Sequence, residues 1–292
     1  MAQWRVLDLL NFGGEVAASD GHLHAGGKSV ALADVAVVLL GTKCTVHSSL
    51  WDRAAAFDVM ILLCDWRGIP LSTVMPWSHN SRVGARHNAQ AAMNEGRRKN
   101  AWKQIVKAKI RGQALNLAPF SGPRLALDRL AGEVRSGDPA NVEALAARIY
   151  WSSLFQDTAG FERNVDLPFG QNALLNYGYT VLRGHTIRHI VAAGLWPTLG
   201  IWHRNRANAF ALADDFIEPF RCVVDSVVLG LSADASPRDP EVKAALVGAS
   251  EVPFLSDGSK TSTAISRLAQ NFAQYSEGQI EKLTVPAWRG RL

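Results

Sequence analysis

A short segment, residues 199–221, combines a histidine, three carboxylates and three arginines with mostly Ala, Leu, Phe and Ile neighbours. Asp215 and Glu218 are three residues apart, so on a helix they share one face, about 5 to 6 Å apart at Cβ. Two carboxylates that close repel each other unless a cation lies between them. A divalent metal ion would be such a cation, and His203 would complete the ligand set with a neutral imidazole nitrogen. The alternative is a helix with solvated acids and an unrelated surface histidine.

A further acid, Glu143, lies in a predicted helix over residues 139–155. Asp138, followed by Pro139, predicts the start of that helix. Its apolar residues fall on nearly every side, which predicts burial on most of the circumference. A carboxylate there costs several kcal/mol unless it is neutralised, paired or bound to a metal. Two other interpretations stay open: stabilisation by the helix N-terminus, and pairing with Arg148.

Residues 97–111 carry seven Lys or Arg residues and no acid. The apolar residues between them recur at near-helical spacing, which predicts an amphipathic helix with a positive outer face. A solvated face is the alternative, although surface helices usually mix both signs of charge. We favour contact with a nucleic-acid backbone, because arginines near the acidic segment also suit phosphate oxygens. The predicted DNA-binding residues are Arg97, Arg98, Lys99, Lys103, Lys107, Arg111, Arg183, Arg188, Arg204 and Arg206.

The composition limits the classes of protein to which this chain could belong. At 292 residues with 48% hydrophobic content, two domains are expected, because single cores seldom grow past ~250 to 300 residues. Apolar runs such as residues 59–64 are far shorter than the ~18 residues that a membrane helix needs. The first ten residues do not resemble a secretion signal. Cys44, Cys64 and Cys222 are odd in number and lack CxxC spacing, which argues against a disulfide framework or a structural zinc site. These features predict a cytoplasmic protein.

The hydrophobic pattern changes once along the chain. Up to about residue 75, short Val-, Leu- and Ile-rich runs alternate with turn signals. They predict strands over residues 5–10, 32–40, 44–47, 59–64 and 71–75, and a short helix over 48–57. After a linker at residues 76–80 the period is helical. It predicts helices over residues 82–93, 96–117, 123–135, 139–155, 171–193, 210–231, 240–247 and 261–275, with a junction at Pro219. The predicted fold class is therefore α+β, with a small N-terminal β domain (1–76) and a larger all-helical C-terminal domain (77–292).

Several blocks of the sequence resemble one known family. Residues 172–225, with NALLNYGY and HRN followed by ADD and EPFR, resemble the signature region of the CRISPR-associated spacer-acquisition integrase, the first Cas protein. The likeness is strongest to its type II branch. NVEALAARIYW, residues 141–151, resembles the family's other conserved helix. The segments RVLDL, DVAVVLLG and LLCDWRGIPL also match, so the resemblance extends over nearly the whole chain.

The resemblance implies roles for individual residues. Family members have an N-terminal β domain that mediates dimerisation and a helical C-terminal domain that contains the active site and binds DNA. Their metal ligands match Glu143, His203 and Glu218 here, which would also be the catalytic residues. Asp215 matches an auxiliary acid of the relatives, and Asp214 is a nearby substitute. The implied cofactor is Mg²⁺ or Mn²⁺, and the histidine makes Mn²⁺ more acceptable than an all-oxygen site would.

The resemblance also implies a reaction. In the family, the 3′-hydroxyl of a prespacer DNA attacks a phosphodiester of a CRISPR repeat, and a metal ion neutralises the developing charge. We therefore expect a metal-dependent DNA endonuclease and integrase. The expected partners are prespacer and repeat DNA, a second copy of this chain, and the second, smaller Cas protein. The alternatives are a structure-specific nuclease for branched DNA and a non-catalytic DNA-binding scaffold.

Overall fold

The N-terminal part of the chain folds into two four-stranded sheets. The computed structural model describes residues 5–65, 68, 70–74, 80–156, 161–167, 169–203, 205–232 and 234–290. The first sheet has the order β1 (Arg5–Leu9), β5 (Val35–Leu40), β7 (Met60–Cys64) and β8 (Pro70–Val74). The second has the order β4 (Lys28–Ala31), β3 (His22–Ala25), β2 (Glu15–Ser19) and β6 (Thr45–Val46). Helix α1 (Ser49–Ala56) lies between β6 and β7 along the chain.

Strand β5 occupies the centre of this part. It pairs in parallel with β1 and β7, while β8 closes the sheet in the antiparallel direction. All six of its residues are buried, as expected for a strand covered on both faces. Val35 and Val38 pack in a small core with the second sheet and α1. Val37 and Leu39, on the other face, belong to the large core of the helices.

The sequence correctly predicted β1, β5 to β8 and α1, but it missed β2, β3 and β4. The missed strands form two tight hairpins over residues 15–31. Asp20 and Gly21 both have positive φ, of 49° and 74°, which is the geometry of a two-residue hairpin turn. The pair at residues 26–27 is also positive in φ. These glycines therefore lie in hairpin turns that connect short strands, and are not only the breakers that the sequence predicted.

The rest of the described chain is mostly helical, which confirms the predicted fold class. The helices are α2 (Val83–Ala92), α3 (Glu95–Asn116), α4 (Gly122–Glu133), α5 (Val142–Leu154), α6 (Gly170–Ala192), α7 (Ala211–Ile217), α8 (Arg221–Leu229), α9 (Pro240–Val247) and α10 (Thr261–Ser276). Residues 75–79, which contain most of the predicted linker, lie outside the described residues. The domain boundary at residue 76 therefore stays a prediction, as does dimerisation through the N-terminal part. None of the described helices is long and apolar enough to cross a membrane.

Helix α5 begins later than predicted. Asn141 adopts a left-handed conformation with φ of 50°, so the helix starts at Val142 rather than at Pro139. Asp138 still caps it from a distance: the backbone N–H groups of Val142 and Glu143 donate to its two carboxylate oxygens at 3.0 and 2.9 Å. This satisfies two of the amides that a helix start leaves without partners. The first turn, which contains Glu143, is thereby held in place.

The predicted burial of α5 on most of its circumference is wrong. Its buried residues recur every four positions, and they are Val142, Ala146, Tyr150 and Leu154. Leu145 is 45% exposed and Arg148 is exposed. An apolar residue type does not demand burial, so the apolar pattern overstated how much of this helix is covered.

The basic helix is amphipathic, as predicted: its apolar residues are buried, and its lysines and arginines are partly or fully exposed. Helix α3 packs against α4, α5, α8 and the 3-10 turn Glu218–Phe220. Ten of its 22 residues are buried, among them Trp102, Ile105 and Gly112, so it is a central helix of the helical part. Its basic residues must therefore find partners within the protein or reach past its neighbours to solvent.

Candidate functional site

Two acids that are far apart in the sequence form ion pairs with the same lysine. Glu143, in the first turn of α5, has its Oε1 2.5 Å from Lys109 Nζ. Glu218, between α7 and α8, has its Oε2 2.6 Å from the same nitrogen. Lys109 projects from α3 and is only 14% exposed at its side chain. The structure therefore brings together two of the three predicted ligands around a cation, and that cation is the lysine ammonium.

Glu218 is held as a buried, ionised carboxylate. Pro219 follows it and replaces a continuous helix with the short 3-10 turn, which confirms the predicted junction. Its second oxygen, Oε1, lies 2.9 Å from Arg221 Nε. Burial alone would raise the pKa of Glu218, but Arg221 and Lys109 together outweigh it and lower this pKa to about 2. Both carboxylate oxygens of Glu218 thus take part in short ion pairs, one with Lys109 and one with Arg221.

His203 is oriented by Asp215. The Nδ1 atom of His203 lies 2.7 Å from Asp215 Oδ1, and the hydrogen bond raises the pKa of His203 against the effect of its partial burial. Asp215 is completely buried and also accepts from three consecutive backbone N–H groups, those of Ile201, Trp202 and His203. Because Nδ1 is occupied, Nε2 is the ring nitrogen available to a ligand. This is the arrangement in which a carboxylate fixes a metal-binding histidine.

The loop that presents His203 requires a glycine at its start. A Cβ atom on Gly200 would lie 2.8 Å from the carbonyl oxygen of His203 and 3.1 Å from Asp215 Oδ2. The neighbouring acid has a different environment, because Asp214 accepts from Arg183 at 2.6 Å and from Asn208 at 2.7 Å. Asp214 and Asp215 are thus adjacent in sequence, but Asp214 positions Arg183 and Asp215 positions His203.

His203 and Glu218 open onto a cavity of about 450 Å³. Asp214 and the hydroxyl-bearing Tyr177 and Tyr179 also line it. The basic lining residues are Arg163, Arg183, Arg221, Arg238 and Lys243. A cavity with so many cations around two candidate ligands favours an anionic ligand such as a phosphodiester.

The first basic residues of α3 have roles within the protein. Arg97 donates to the backbone carbonyl of Ile280 at 3.0 Å, and Arg98 donates to that of Gly200 at 2.8 Å. Lys99 lies 2.9 Å from the carboxylate of Glu95, an i,i+4 pair. Glu95 lies two residues before the run of residues 97–111, so that run by itself contains no acid. Contact of these three basic side chains with DNA stays a prediction, and the structure gives each an internal partner.

The other predicted DNA-binding residues lie in separate places. Arg111 is exposed, and Lys103 and Lys107 are partly exposed. Partial burial and then the neighbouring charges of Lys103 and Arg111 lower the pKa of Lys107, which marks a local concentration of positive charge. Arg183 lines the cavity, Arg188 donates to the carbonyl of Asp58 at 2.9 Å, and Arg206 is exposed. Arg204 lies outside the described residues.

Sequence reasoning missed the residues that surround the predicted ligands. Lys109 was overlooked because it was one basic residue among many in α3. Tyr179 was part of a quoted motif but received no role; it donates to the buried Asp225, and the Arg221 guanidinium lies 4.5 Å above its ring. An acid in the valine-rich run of residues 222–228 was the available signal for this network.

The donor set fits a hard or borderline divalent ion. Two carboxylates and one imidazole nitrogen are ligands that Mg²⁺ and especially Mn²⁺ accept, and a cation already lies between the carboxylates in the form of Lys109. With the side chains as they stand, no three His, Cys, Asp or Glu residues of the described chain are close enough together to hold a metal. Convergence of Glu143, His203 and Glu218 on one ion therefore stays a prediction, and it requires Lys109 to move.

Comparison with known proteins assigns the chain to a family. The family model "CRISPR associated protein Cas1" matches residues 22–239. A relative from Neisseria meningitidis, a "CRISPR-associated endonuclease Cas1", is 37% identical over 236 residues, which cover 78% of this chain and 76% of the relative. The chain belongs to the Cas1 family of CRISPR-associated proteins, as its sequence motifs predict.

Solved structures share the fold. A casposase bound to its integration product superposes with a TM-score of 0.77 at 20% identity, over 96% of this chain and 92% of that chain. A chain of a Cas6-RT-Cas1–Cas2 complex gives a TM-score of 0.79 at 18% identity, over 100% of this chain and 37% of that larger chain. At these identities the likeness establishes the architecture, namely strands followed by a helical region.

Proposed function

We propose that this chain is a metal-dependent DNA endonuclease and integrase that inserts prespacer DNA into a CRISPR array. The observation that carries the proposal is the meeting of Glu143 and Glu218 on one cation, beside a cavity that His203 and Glu218 share with several arginines. The names of its relatives as endonucleases, and of a structural neighbour as a casposase with its integration product, support the same chemistry.

In the proposed reaction a DNA 3′-hydroxyl attacks a phosphorus atom of the repeat. A new P–O bond forms, the bond to the repeat's own 3′-oxygen breaks, and the proton of the attacking hydroxyl is balanced by protonation of the leaving oxygen. Glu143, His203 and Glu218 would hold Mg²⁺ or Mn²⁺, which neutralises charge on the phosphoryl oxygens and lowers the pKa of the attacking hydroxyl. Asp215 would keep the Nε2 atom of His203 directed at that ion.

The cavity cations have a separate task in this proposal. Arg183 and Arg221 line the cavity and present N–H groups to phosphate oxygens. Phosphate contacts of this kind position the DNA backbone without selecting a base sequence. Sequence choice would then depend on partners, and a Cas1–Cas2 assembly among the structural neighbours supports the smaller Cas protein as one of them. We propose that the active assembly also contains two copies of this chain.

The test is joining of a labelled prespacer to a supercoiled plasmid that carries the repeat, with Mg²⁺ or Mn²⁺ and the smaller Cas protein. We expect joined product from a prespacer with a 3′-hydroxyl and none from the same DNA with a 3′-dideoxy end, because that end lacks the attacking group. Cleavage of branched DNA without joining would favour the structure-specific nuclease instead. A folded protein that binds DNA but does neither with any divalent metal would be the scaffold, and the proposal would be wrong.

A further inference from the structure

Lys109 lies at the position where a metal ion would neutralise Glu143 and Glu218. Its ammonium is within 2.6 Å of an oxygen from each acid. The cluster of Lys109, Arg221, Glu143 and Glu218 carries two positive and two negative charges, so it is neutral without any metal.

A divalent ion and the ammonium cannot share this position. An ion between the two carboxylates would lie a few Å from the nitrogen of Lys109, and like charges that close repel strongly in a site with little water. The contact of Lys109 with Glu218 is an ion pair at 2.6 Å, and a divalent ion is attracted to the same carboxylate. The long, flexible stem of a lysine allows its charged end to move while the helix stays in place.

We propose that Lys109 is a built-in occupant of the cation position, which balances Glu143 and Glu218 in the metal-free protein and must withdraw before a divalent ion can bind. This inference rests on the proposed metal-dependent function. Once a divalent ion has replaced the Lys109 ammonium, the ion, Arg221, Glu143 and Glu218 together carry a net charge of plus one, which prepares the cavity for a phosphodiester. Lys109 is thus a positioning residue that weakens metal binding and stabilises the empty site.

The first test measures Mn²⁺ affinity by isothermal titration of the full chain without DNA. Lys109→Met should bind Mn²⁺ at least about tenfold more tightly than the wild type, because the competing charge is gone. Lys109→Arg, which keeps the charge, should not gain affinity. Lys107→Met is the matched control two residues away on the same helix, and its Mn²⁺ affinity should equal that of the wild type. Equal or weaker binding by Lys109→Met would overturn the inference.

Thermal unfolding gives an independent readout. In chelator, Lys109→Met should unfold at a lower temperature than the wild type, because the buried Glu218 and the partly buried Glu143 have lost a partner. Saturating Mn²⁺ should raise its unfolding temperature by more than it raises that of the wild type. A purely structural lysine would lower both temperatures equally, and that result would contradict the role of a metal competitor.

A further measurement uses the wild-type protein and so does not depend on the folding of a variant. Acetylation of lysines by acetic anhydride, quantified by peptide mass spectrometry, should increase severalfold at Lys109 when Mn²⁺ replaces chelator, and should stay constant at Lys28. Unchanged or reduced labelling of Lys109 would overturn the inference. If the wild type and Lys109→Met bind no more Mn²⁺ than Glu218→Gln, the proposed metal site itself fails. If the wild type and Lys109→Met both bind Mn²⁺ more tightly than Glu218→Gln but do not differ from each other, the proposed function survives without this inference.

Discussion

Glu218 and Asp225 are seven residues apart and both buried, yet their surroundings are opposite. Glu218, 5% exposed, contacts two cations, and its pKa is lowered to about 2. Asp225, 1% exposed, accepts hydrogen bonds from the hydroxyls of Tyr150 and Tyr179. Burial raises the pKa of Asp225 to about 6, and these hydrogen bonds and nearby arginines offset only part of that effect.

The difference shows how one stretch of chain keeps two acids for two purposes. Glu218 lines the cavity and stays ionised, which suits a metal ligand. Asp225 faces the interior, where it accepts a hydrogen bond from Tyr179, and the ring of Tyr179 packs against the guanidinium of Arg221. Asp225 therefore supports the arginine that pairs with Glu218. The predictions below test this division, from the largest expected effect to the smallest.

Glu218→Gln should abolish strand joining while DNA binding stays near the wild-type level. The amide keeps the size of the side chain but loses the charge that a metal ligand needs, so we expect joining to fall about a thousandfold or more. This loss is larger than the roughly 10- to 100-fold that is typical when a residue that only orients a metal ligand is replaced. The plasmid-joining assay and a DNA titration in chelator measure the two effects. Near-normal joining would remove Glu218 from the catalytic set.

The same variant should be less stable. Spacing alone suggests that removing one charge relieves repulsion with Asp215, but the structure pairs Asp215 with His203 and leaves Lys109 and Arg221 dependent on Glu218. Loss of one partner of a buried ion pair costs about 3 to 5 kcal/mol. Glu241→Gln, an exposed acid on α9, is the control and should unfold like the wild type in urea.

Asp225→Asn should change how stability depends on pH. The folded pKa of Asp225, about 6, lies above its ordinary value of 3.8, so between these values the folded protein keeps a proton that the unfolded chain has released. The unfolding free energy of the wild type should therefore fall by about 2 kcal/mol relative to the variant as the pH rises from 4 to 7. Urea unfolding at several pH values measures this difference. A difference that is independent of pH would show that Asp225 is already ionised in the folded protein at low pH.

Asp215→Asn should reduce joining and Mn²⁺ affinity by about 10- to 100-fold, because His203 loses the group that fixes its ring. Asp214→Asn is the matched neighbour, and it should have a smaller effect on Mn²⁺ affinity since Asp214 contacts Arg183 and Asn208. Titration of both variants with Mn²⁺ compares them directly. The reverse order of effects would assign the metal role to Asp214.

Replacement of Lys103 and Lys107 by Glu should weaken DNA binding without affecting the candidate metal ligands Glu143 and Glu218. Each phosphate contact that is lost lowers the slope of log affinity against log salt by about 0.9 for duplex DNA, so the double variant should show a slope smaller by up to about two. Binding titrations between 50 and 200 mM salt measure it. The control reverses Lys28 and Lys43, which are exposed in the N-terminal part. Equal effects of the two double variants would mean that only net charge matters.

Most of the helices and the family of this protein could be predicted from local sequence patterns. The periods of apolar residues predicted α2 to α10 within a few residues, because amphipathic repeats and proline or glycine signals act over a few turns of chain. The blocks around Glu143, His203 and Glu218 indicated the family before any geometry was known. Where the local signals were ambiguous, as for the glycine turns at residues 20–27, the strands were missed.

Only the tertiary structure decided which charges meet. Lys109 is one of seven basic residues in its helix, and nothing in its neighbours along the chain distinguishes it from Lys107. It becomes the partner of Glu143 and Glu218 because α3 packs against α5 and the turn after α7. Electrostatic partners depend on distances of a few Å between segments far apart in sequence, whereas composition and period report only on neighbours along the chain. The sequence by itself therefore determined the elements and the candidate ligands, and packing determined the cation between them.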